Sequence, residues 1–178
     1  MTCIVGYVQK GKTFIGADSA GVAGMNVTIR KDPKVFKVGE FVIGCTSSFR
    51  MIQLIRFTFQ PAKKHDDTDT FQYMCTSFIN ELRKCFKEGG FAARDKDVES
   101  GGTFLVGYKG RLFMIGSDYQ VAENEEGYDS VGCGESFALG ALDMADKKMS
   151  AIDIINRALA IAAHRSGGVR PPFIIEST

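Results

Sequence analysis

Residues 1–48 read MTCIVGYVQK GKTFIGADSA GVAGMNVTIR KDPKVFKVGE FVIGCTSS. Two short apolar runs, Cys3 to Val8 and Thr13 to Ala17, flank the turn Gln9-Lys10-Gly11-Lys12. Two more, Lys34 to Val38 and Phe41 to Cys45, flank Gly39-Glu40. Runs of this length around short turns predict two β-hairpins. Period-2 alternation puts Lys34 and Phe36 on one face of their strand, with Val35 and Lys37 on the other.

The same stretch carries a nucleophile. Thr2 follows Met1, and a threonine is small enough at position two for the methionine to be removed. Thr2 would then hold a hydroxyl and an α-amine on one residue. That amine has a reference pKa near ~8, so part of it is neutral near pH 7 and can take the hydroxyl proton. A retained Met1 would bury the amine in a peptide bond. The plainer reading of Thr2 is the start of a strand.

Outward from this stretch the period changes. Phe49, Ile52, Leu54, Ile55 and Phe59 suit a helix capped near Ser47 or Ser48 and stopped before Pro61. A polar linker over 63–69 leads to a second helix, with Phe71, Met74, Cys75, Phe78, Ile79, Leu82 and Phe86 along one face. It stops at Gly89-Gly90. Strands return at Thr103 to Tyr108 and Arg111 to Gly116. Helices follow at about 135–146 and 150–164, and a last strand at Phe173 to Ile175. Strands, two helices, strands, two helices and a strand make an α+β chain. Two antiparallel sheets stacked between helix pairs, a four-layer αββα sandwich, is the arrangement that order suits. Residues 1–178 read as a single domain.

Composition narrows the function. Hydrophobic residues make up 44% and charged residues 24% of the 178, ordinary for a globular protein, and the formal charge is +1. A surface driven by bulk positive charge, as nucleic-acid binding needs, is not expected. No apolar run approaches the ~20 residues of a membrane span. No basic segment followed by an apolar stretch opens the chain, so no signal peptide is expected. The five cysteines, Cys3, Cys45, Cys75, Cys85 and Cys133, are odd in number and form no CxxC pair. Free thiols in a reducing cytoplasm are the simplest reading.

Asp18 stands sixteen residues after Thr2 and Lys34 thirty-two after it, and the run Phe41-Val42-Ile43-Gly44-Cys45 follows. With Ser130-Val131-Gly132-Cys133-Gly134 and His164-Arg165-Ser166-Gly167-Gly168, these segments resemble the proteasome β-subunit and HslV branch of the N-terminal nucleophile (Ntn) hydrolases. The resemblance implies the Ntn-hydrolase fold and a threonine-type endopeptidase working in an oligomeric chamber. Thr2 would be the nucleophile, with Lys34 and Asp18 tuning its hydroxyl. The backbone N–H of Cys45 would meet the oxyanion, and Cys133 and Ser166 would lie near the amine. Ala20, Gly21, Ile43 and Ser47 would lie around the substrate, Ile43 near the pocket for the residue preceding the cut. No cofactor or metal is required. The implied partners are a peptide or unfolded-protein substrate, further copies in homo-oligomeric rings and an ATPase unfoldase.

Plainer readings stand beside these. Lys34 reads equally as a solvated strand-edge lysine, Asp18 as a turn carboxylate and Cys45 as a buried thiol. Cys133 and Cys45 replace the family's serine and glycine. The family's aspartate three residues before its late serine is absent, and Ala163 stands there. His164 fits a helix C-terminus and Asp66, Asp67 and Asp69 a helix start, rather than a catalytic or metal site. The rival functions are a non-catalytic structural ring subunit that keeps Met1, and a small-molecule Ntn amidohydrolase. The first helix, apolar on more than one face through Phe49, Met51 and Phe57, is either a contact surface or core.

Overall fold

A computed structural model describes residues 1–95 and 98–178. The first hairpin is β1 (Cys3–Gln9) and β2 (Lys12–Ala17), and a second is β3 (Ala20–Ala23) and β4 (Asn26–Ile29). Next come β5 (Val35–Val38), β6 (Phe41–Cys45) and α1 (Phe49–Phe57). A long helix follows as α2 (Thr70–Tyr73), a π-helical stretch Met74–Phe78 and α3 (Ile79–Glu88). The remainder is β7 (Ala93–Asp95), β8 (Val98–Ser100), β9 (Phe104–Tyr108), β10 (Arg111–Ile115), β11 (Val121–Ala122), β12 (Tyr128–Gly132), α4 (Glu135–Asp143), α5 (Ala151–Arg165) and β13 (Ile174–Ser177).

Two antiparallel sheets form the centre, one ordered β12-β1-β2-β13 and the other β11-β10-β9-β6-β5. Alternation within each strand sets the layers. Ile4, Ile15, Ala17, Val35, Val42, Leu105 and Leu112 meet between the sheets. Their neighbours point outward. Cys3, Val5 and Tyr7 pack under α4 and α5, beside Ala138, Ile155, Ala158 and Ala162. Phe36, Phe41, Phe104, Tyr108 and Phe113 pack under α1 and α3, beside Ile55, Phe78 and Phe86. The order helix, sheet, sheet, helix is the αββα sandwich. Glycine lets the layers close: a Cβ on Gly44 would lie 2.6 Å from both Ile4 and Ile15 across the sheets, and one on Gly16 would lie 2.3 Å from Ile155 of α5.

The helix ends follow local chemistry. Ser48 caps α1 by accepting the Arg50 N–H, Asp69 caps α2 by accepting from Gln72, and Ser150 caps α5 by accepting from Asp153. Asp69 is thus a cap. Met51, Ile52, Leu54, Ile55 and Phe59 are taken up by the core, and Phe57 alone of that series stays largely exposed. Most of the first helix's apolar surface is therefore internal. The expected third helix ends at Asp143, short of Asp146, and the last strand starts one residue late, at Ile174. The hairpins β3–β4 and β7–β8 and the strand β12 were not expected. No helix among the described residues is long and apolar enough to cross a membrane.

Candidate active site

Thr2 sits at the open end of β1, between the strands that bring it its neighbours. Gly134 donates its N–H to the Thr2 carbonyl at 3.3 Å. Gly132 makes this approach possible, since it has φ +106° and a Cβ there would lie 2.3 Å from the Thr2 oxygen. β2 pairs with β1 on the other side and ends at Ala17, which places Asp18 beside Cys3. The Cys3 N–H donates to Asp18 Oδ1 at 3.0 Å.

Asp18 is saturated with donors. Its Oδ2 accepts the Ala20 N–H at 2.9 Å and the Arg170 N–H at 3.3 Å. Its Oδ1 also accepts Lys34 Nζ at 2.8 Å, in an ion pair with both side chains 1% or less exposed. Lys34 is therefore no solvated edge lysine, and Asp18 is more than a turn carboxylate. Burial drags the Lys34 ammonium below the usual lysine range, while the Asp18 charge and hydrogen bond oppose the shift. A buried pair of this kind is held by geometry and by its extra hydrogen bonds.

The Lys34 ammonium also reaches the Met1 carbonyl at 3.4 Å, and the Thr2 hydroxyl donates to that same oxygen at 2.5 Å. One carbonyl oxygen thus touches both the hydroxyl and the buried cation. On the opposite flank the Thr2 N–H donates to Cys133 Sγ at 3.2 Å, and Cys133 Sγ lies 3.4 Å from Ser166 Oγ. Cys133 is exposed. The family resemblance implies Thr2, Asp18, Lys34, Cys133 and Ser166 for the site, and the fold gathers all five at one end of the two sheets.

Two expected residues fall elsewhere. The Cys45 N–H donates to the Lys34 carbonyl at 2.8 Å in the β5–β6 pairing, so it is not open to an oxyanion. Its thiol is fully buried and pushed up by that burial. Ile43 lies between Phe36 and Val106 in the core under α1, with no exposure, and lines no part of the site. The free donor is two residues beyond Cys45. Ser47 has φ +63°, and its N–H donates to no group among the described residues. Its Oγ accepts the Thr103 N–H at 3.1 Å, which fixes the loop.

A pocket of about 90 Å³ opens beside Thr2, lined by Val22, Lys34, Thr46, Ser47, Ser48, Phe49 and Ile52 as well as Met1. Ala20 is buried and contributes its N–H to Asp18, while Gly21 lies under the Arg30 stem. A larger hollow of about 630 Å³ between α4 and α5 contains none of the five gathered residues.

Arg170 has no signal in the sequence. Its N–H reaches Asp18 across 152 residues, and its guanidinium closes the end of α5 on the carbonyls of Ala163, Ser166 and Val169 at 3.4, 3.0 and 2.7 Å. His164 is exposed in the last turn of α5, where a cation suits the helix dipole.

No protein-family model matches the chain, and none of the curated proteins does. Solved structures do. A Thiobacillus denitrificans BPH, determined in complex with epoxomicin, matches with a TM-score of 0.83 at 19% identity, over 99% of this chain and 98% of that one. A eukaryotic HslV from Trypanosoma brucei matches with 0.68 at 18% identity, over 99% and 98%. Anbu, described as an ancestral beta-subunit, from Yersinia bercovieri matches with 0.68 at 16%, over 99% and 81%. At these identities the likeness is one of architecture, and the chain has the fold of the proteasome-type Ntn-hydrolase subunits.

Proposed function

We propose that this chain is an N-terminal threonine peptidase, HslV- or proteasome-like, whose nucleophile is Thr2. The observation that carries the reading is the carbonyl oxygen shared by the Thr2 hydroxyl and the buried Lys34 ammonium. It supports a site in which these two groups lie together against a peptide carbonyl. Removal of Met1 frees the Thr2 amine. The amine takes the hydroxyl proton, directly or through one water, and Oγ1 attacks the peptide carbonyl. The charge of Lys34, held by Asp18, favours the developing alkoxide. The unpaired Ser47 N–H is the donor available to the oxyanion. The amine returns its proton to the leaving nitrogen, and water then releases the acyl group from Thr2. Loss of one oxyanion donor in such a step lowers kcat by about 10²–10³.

The competing reading is a subunit of the same fold that keeps Met1 and has no turnover. The Met1 side chain approaches Gly168, where a Cβ would lie 2.4 Å from it, but is 60% exposed and so gives this reading little packing support. Intact-mass spectrometry of the purified chain separates the two. Loss of one methionine mass together with turnover of unfolded casein supports the peptidase, and Thr2→Ala should abolish that turnover. A full-mass chain without turnover supports the structural subunit. Full turnover by Thr2→Ala would sink the threonine mechanism under either mass.

A homo-oligomeric ring, fed by an ATPase unfoldase in the cytoplasm, belongs to the same proposal. A loosely specific peptidase is kept from general protein by enclosure. Since α1 is mostly internal, the exposed apolar residues Phe137 on α4, Met144 just past its end and Ile161 on α5 are better placed to meet other copies than the first helix. Light scattering tests this, and a monomer at micromolar concentration would defeat the chamber.

A further inference from the structure

The pocket beside Thr2 has one wall, Phe49, that the core holds only in part. Phe49 opens α1 and is half-buried, packing on the core by one side only. Its other side is held by Arg30. The guanidinium carbon lies 3.7 Å from the Phe49 ring centroid, within cation–π range. Lys34 Nζ lies 6.0 Å from the same centroid. Arg30 is itself fixed. Its Nε and Nη2 donate to Asp32 Oδ1 and Oδ2 at 2.9 and 2.6 Å, a bidentate pair. Its backbone N–H donates to the Ser19 carbonyl at 2.9 Å, one residue from Asp18. Its stem lies over Gly21, where a Cβ would be 2.7 Å from Arg30 Cδ. Arg30 and Asp32 do not themselves line the pocket, whereas Phe49 does.

We infer that Arg30, clamped by Asp32 and stacked on Phe49, is a specificity-determining positioning residue that fixes the Phe49 ring as a wall of the pocket beside Thr2, so that the pocket takes one small aliphatic side chain of a peptide. The inference rests on the peptidase reading for the identity of the ligand. Size supports the class. With Met1 in place the space is about 90 Å³, well below the roughly 300–1,000 Å³ of a drug-sized site, and the walls that stay when Met1 is removed, Val22, Phe49 and Ile52, bound room for one side chain. Chemistry supports it too. Val22, Ile52 and Phe49 are apolar, and the cation on the pocket, Lys34, already has its carboxylate. A second positive charge there would meet no partner. The planar fork is essential: a lysine at position 30 would keep the charge but lose both the stacking and the bidentate grip.

Two readouts test this on the full-length chain, with blocked peptides that differ only in the residue before the cut: Ala, Val, Leu, Phe or Lys. The first is the affinity of Thr2→Ala for each peptide by calorimetry, which needs no turnover. The second is kcat and KM on the chain with Thr2 intact. Val should be preferred over Phe by about tenfold or more in both, the scale of apolar pocket discrimination. In Arg30→Ala that ratio should shrink several-fold, carried by KM more than by kcat. Asp32→Asn should fall between, and Arg30→Lys should resemble Arg30→Ala. Phe49→Leu should widen the pocket without passing through the clamp. Selective binding by Thr2→Ala without turnover by the parent chain would remove the peptidase reading and leave the pocket inference standing. Equal Val-to-Phe ratios in the parent and Arg30→Ala, or no binding of any peptide, would overturn it.

Discussion

Thr2 has two flanks of opposite construction. On one, Asp18 and Lys34 are each about 1% exposed and joined at 2.8 Å, and the carboxylate accepts three backbone N–H groups besides. On the other, an exposed thiol and a half-buried hydroxyl lie 3.4 Å apart and touch the Thr2 nitrogen through sulfur. The buried flank is built into strand pairing: Asp18 follows β2, and the Lys34 carbonyl is tied to β6. The exposed flank is built on loops at the ends of β12 and α5. Charge placement is thus coupled to folding on one side, and amine placement is left adjustable on the other.

The largest effect should come from breaking the buried flank. Asp18→Ala strands the Lys34 ammonium and three backbone donors, and removal of one partner from a buried pair costs about 3–5 kcal/mol. Urea denaturation should show that loss. Asp18→Asn keeps one acceptor oxygen and should lose less. A change under about 1 kcal/mol in Asp18→Ala would mean that water enters and the flanks differ less than their burial implies.

Next is the charge on Lys34. Turnover should rise with pH as the Thr2 amine, near ~8, loses its proton. It should fall again as Lys34 does, below the ordinary ~10.4 of lysine because burial lowers its pKa. Stability runs the other way. A cation with a depressed native pKa carries its penalty in full below that value. The penalty is relieved as pH rises through the window up to about 10.4, where the unfolded chain binds more protons than the native one. The stability of the parent chain relative to Lys34→Met should therefore increase across that window while the parent's activity declines. If both decline together, the ammonium is not the group responsible.

Smaller again is the backbone of the loop between the flanks. Ser47 holds φ +63°, which glycine adopts without penalty. Ser47→Gly keeps the free N–H but loses the hydroxyl that accepts from Thr103. These two changes are each worth about 1 kcal/mol and oppose each other. The net stability change should stay within about 1 kcal/mol, with turnover retained. Ser47→Val, β-branched at positive φ, should lose both stability and turnover.

The buried flank was the part legible in the sequence. The family resemblance picks out Asp18 and Lys34, and they stand at the ends of β2 and β5, strands whose alternation is plain. Which N–H stays free was not legible, because it depends on the β5–β6 register: that pairing consumes the Cys45 N–H and leaves Ser47 unpaired. Ile43 followed the same rule, since a strand residue one step from Gly44 faces the aromatic core and not the site. Arg170 joins Asp18 over a separation of 152 residues that no local pattern encodes. The sandwich itself was readable from period 2 and period 3.6. The β3–β4 hairpin was missed because its second strand, Asn26–Ile29, is exposed throughout and so carries no buried-face alternation. The π-helical stretch at Met74–Phe78 was missed because it keeps its apolar face and changes only the turn.

The smallest effect belongs to Cys133, and it tests the exposed flank directly. A thiol is a weaker hydrogen-bond partner than a hydroxyl, so Cys133→Ser should hold a free Thr2 amine more firmly and change kcat/KM by a few-fold, upward. Geometry makes the native thiol a liability that the serine removes. Iodoacetamide should label the exposed Cys75 and Cys133 before the buried Cys3, Cys45 and Cys85. The Cys3 thiol is in addition pushed up to about 12 by burial, which keeps it unreactive. A carbamidomethyl group on Cys133 would occupy space within 3.2 Å of the Thr2 nitrogen. Labelling should therefore stop turnover in the parent chain and in Cys75→Ser, and spare it in Cys133→Ser. Peptide mapping of the labelled chain assigns the site. Full modification of Cys133 with turnover intact would show that the amine is placed without this flank, and that the buried pair suffices to orient Thr2.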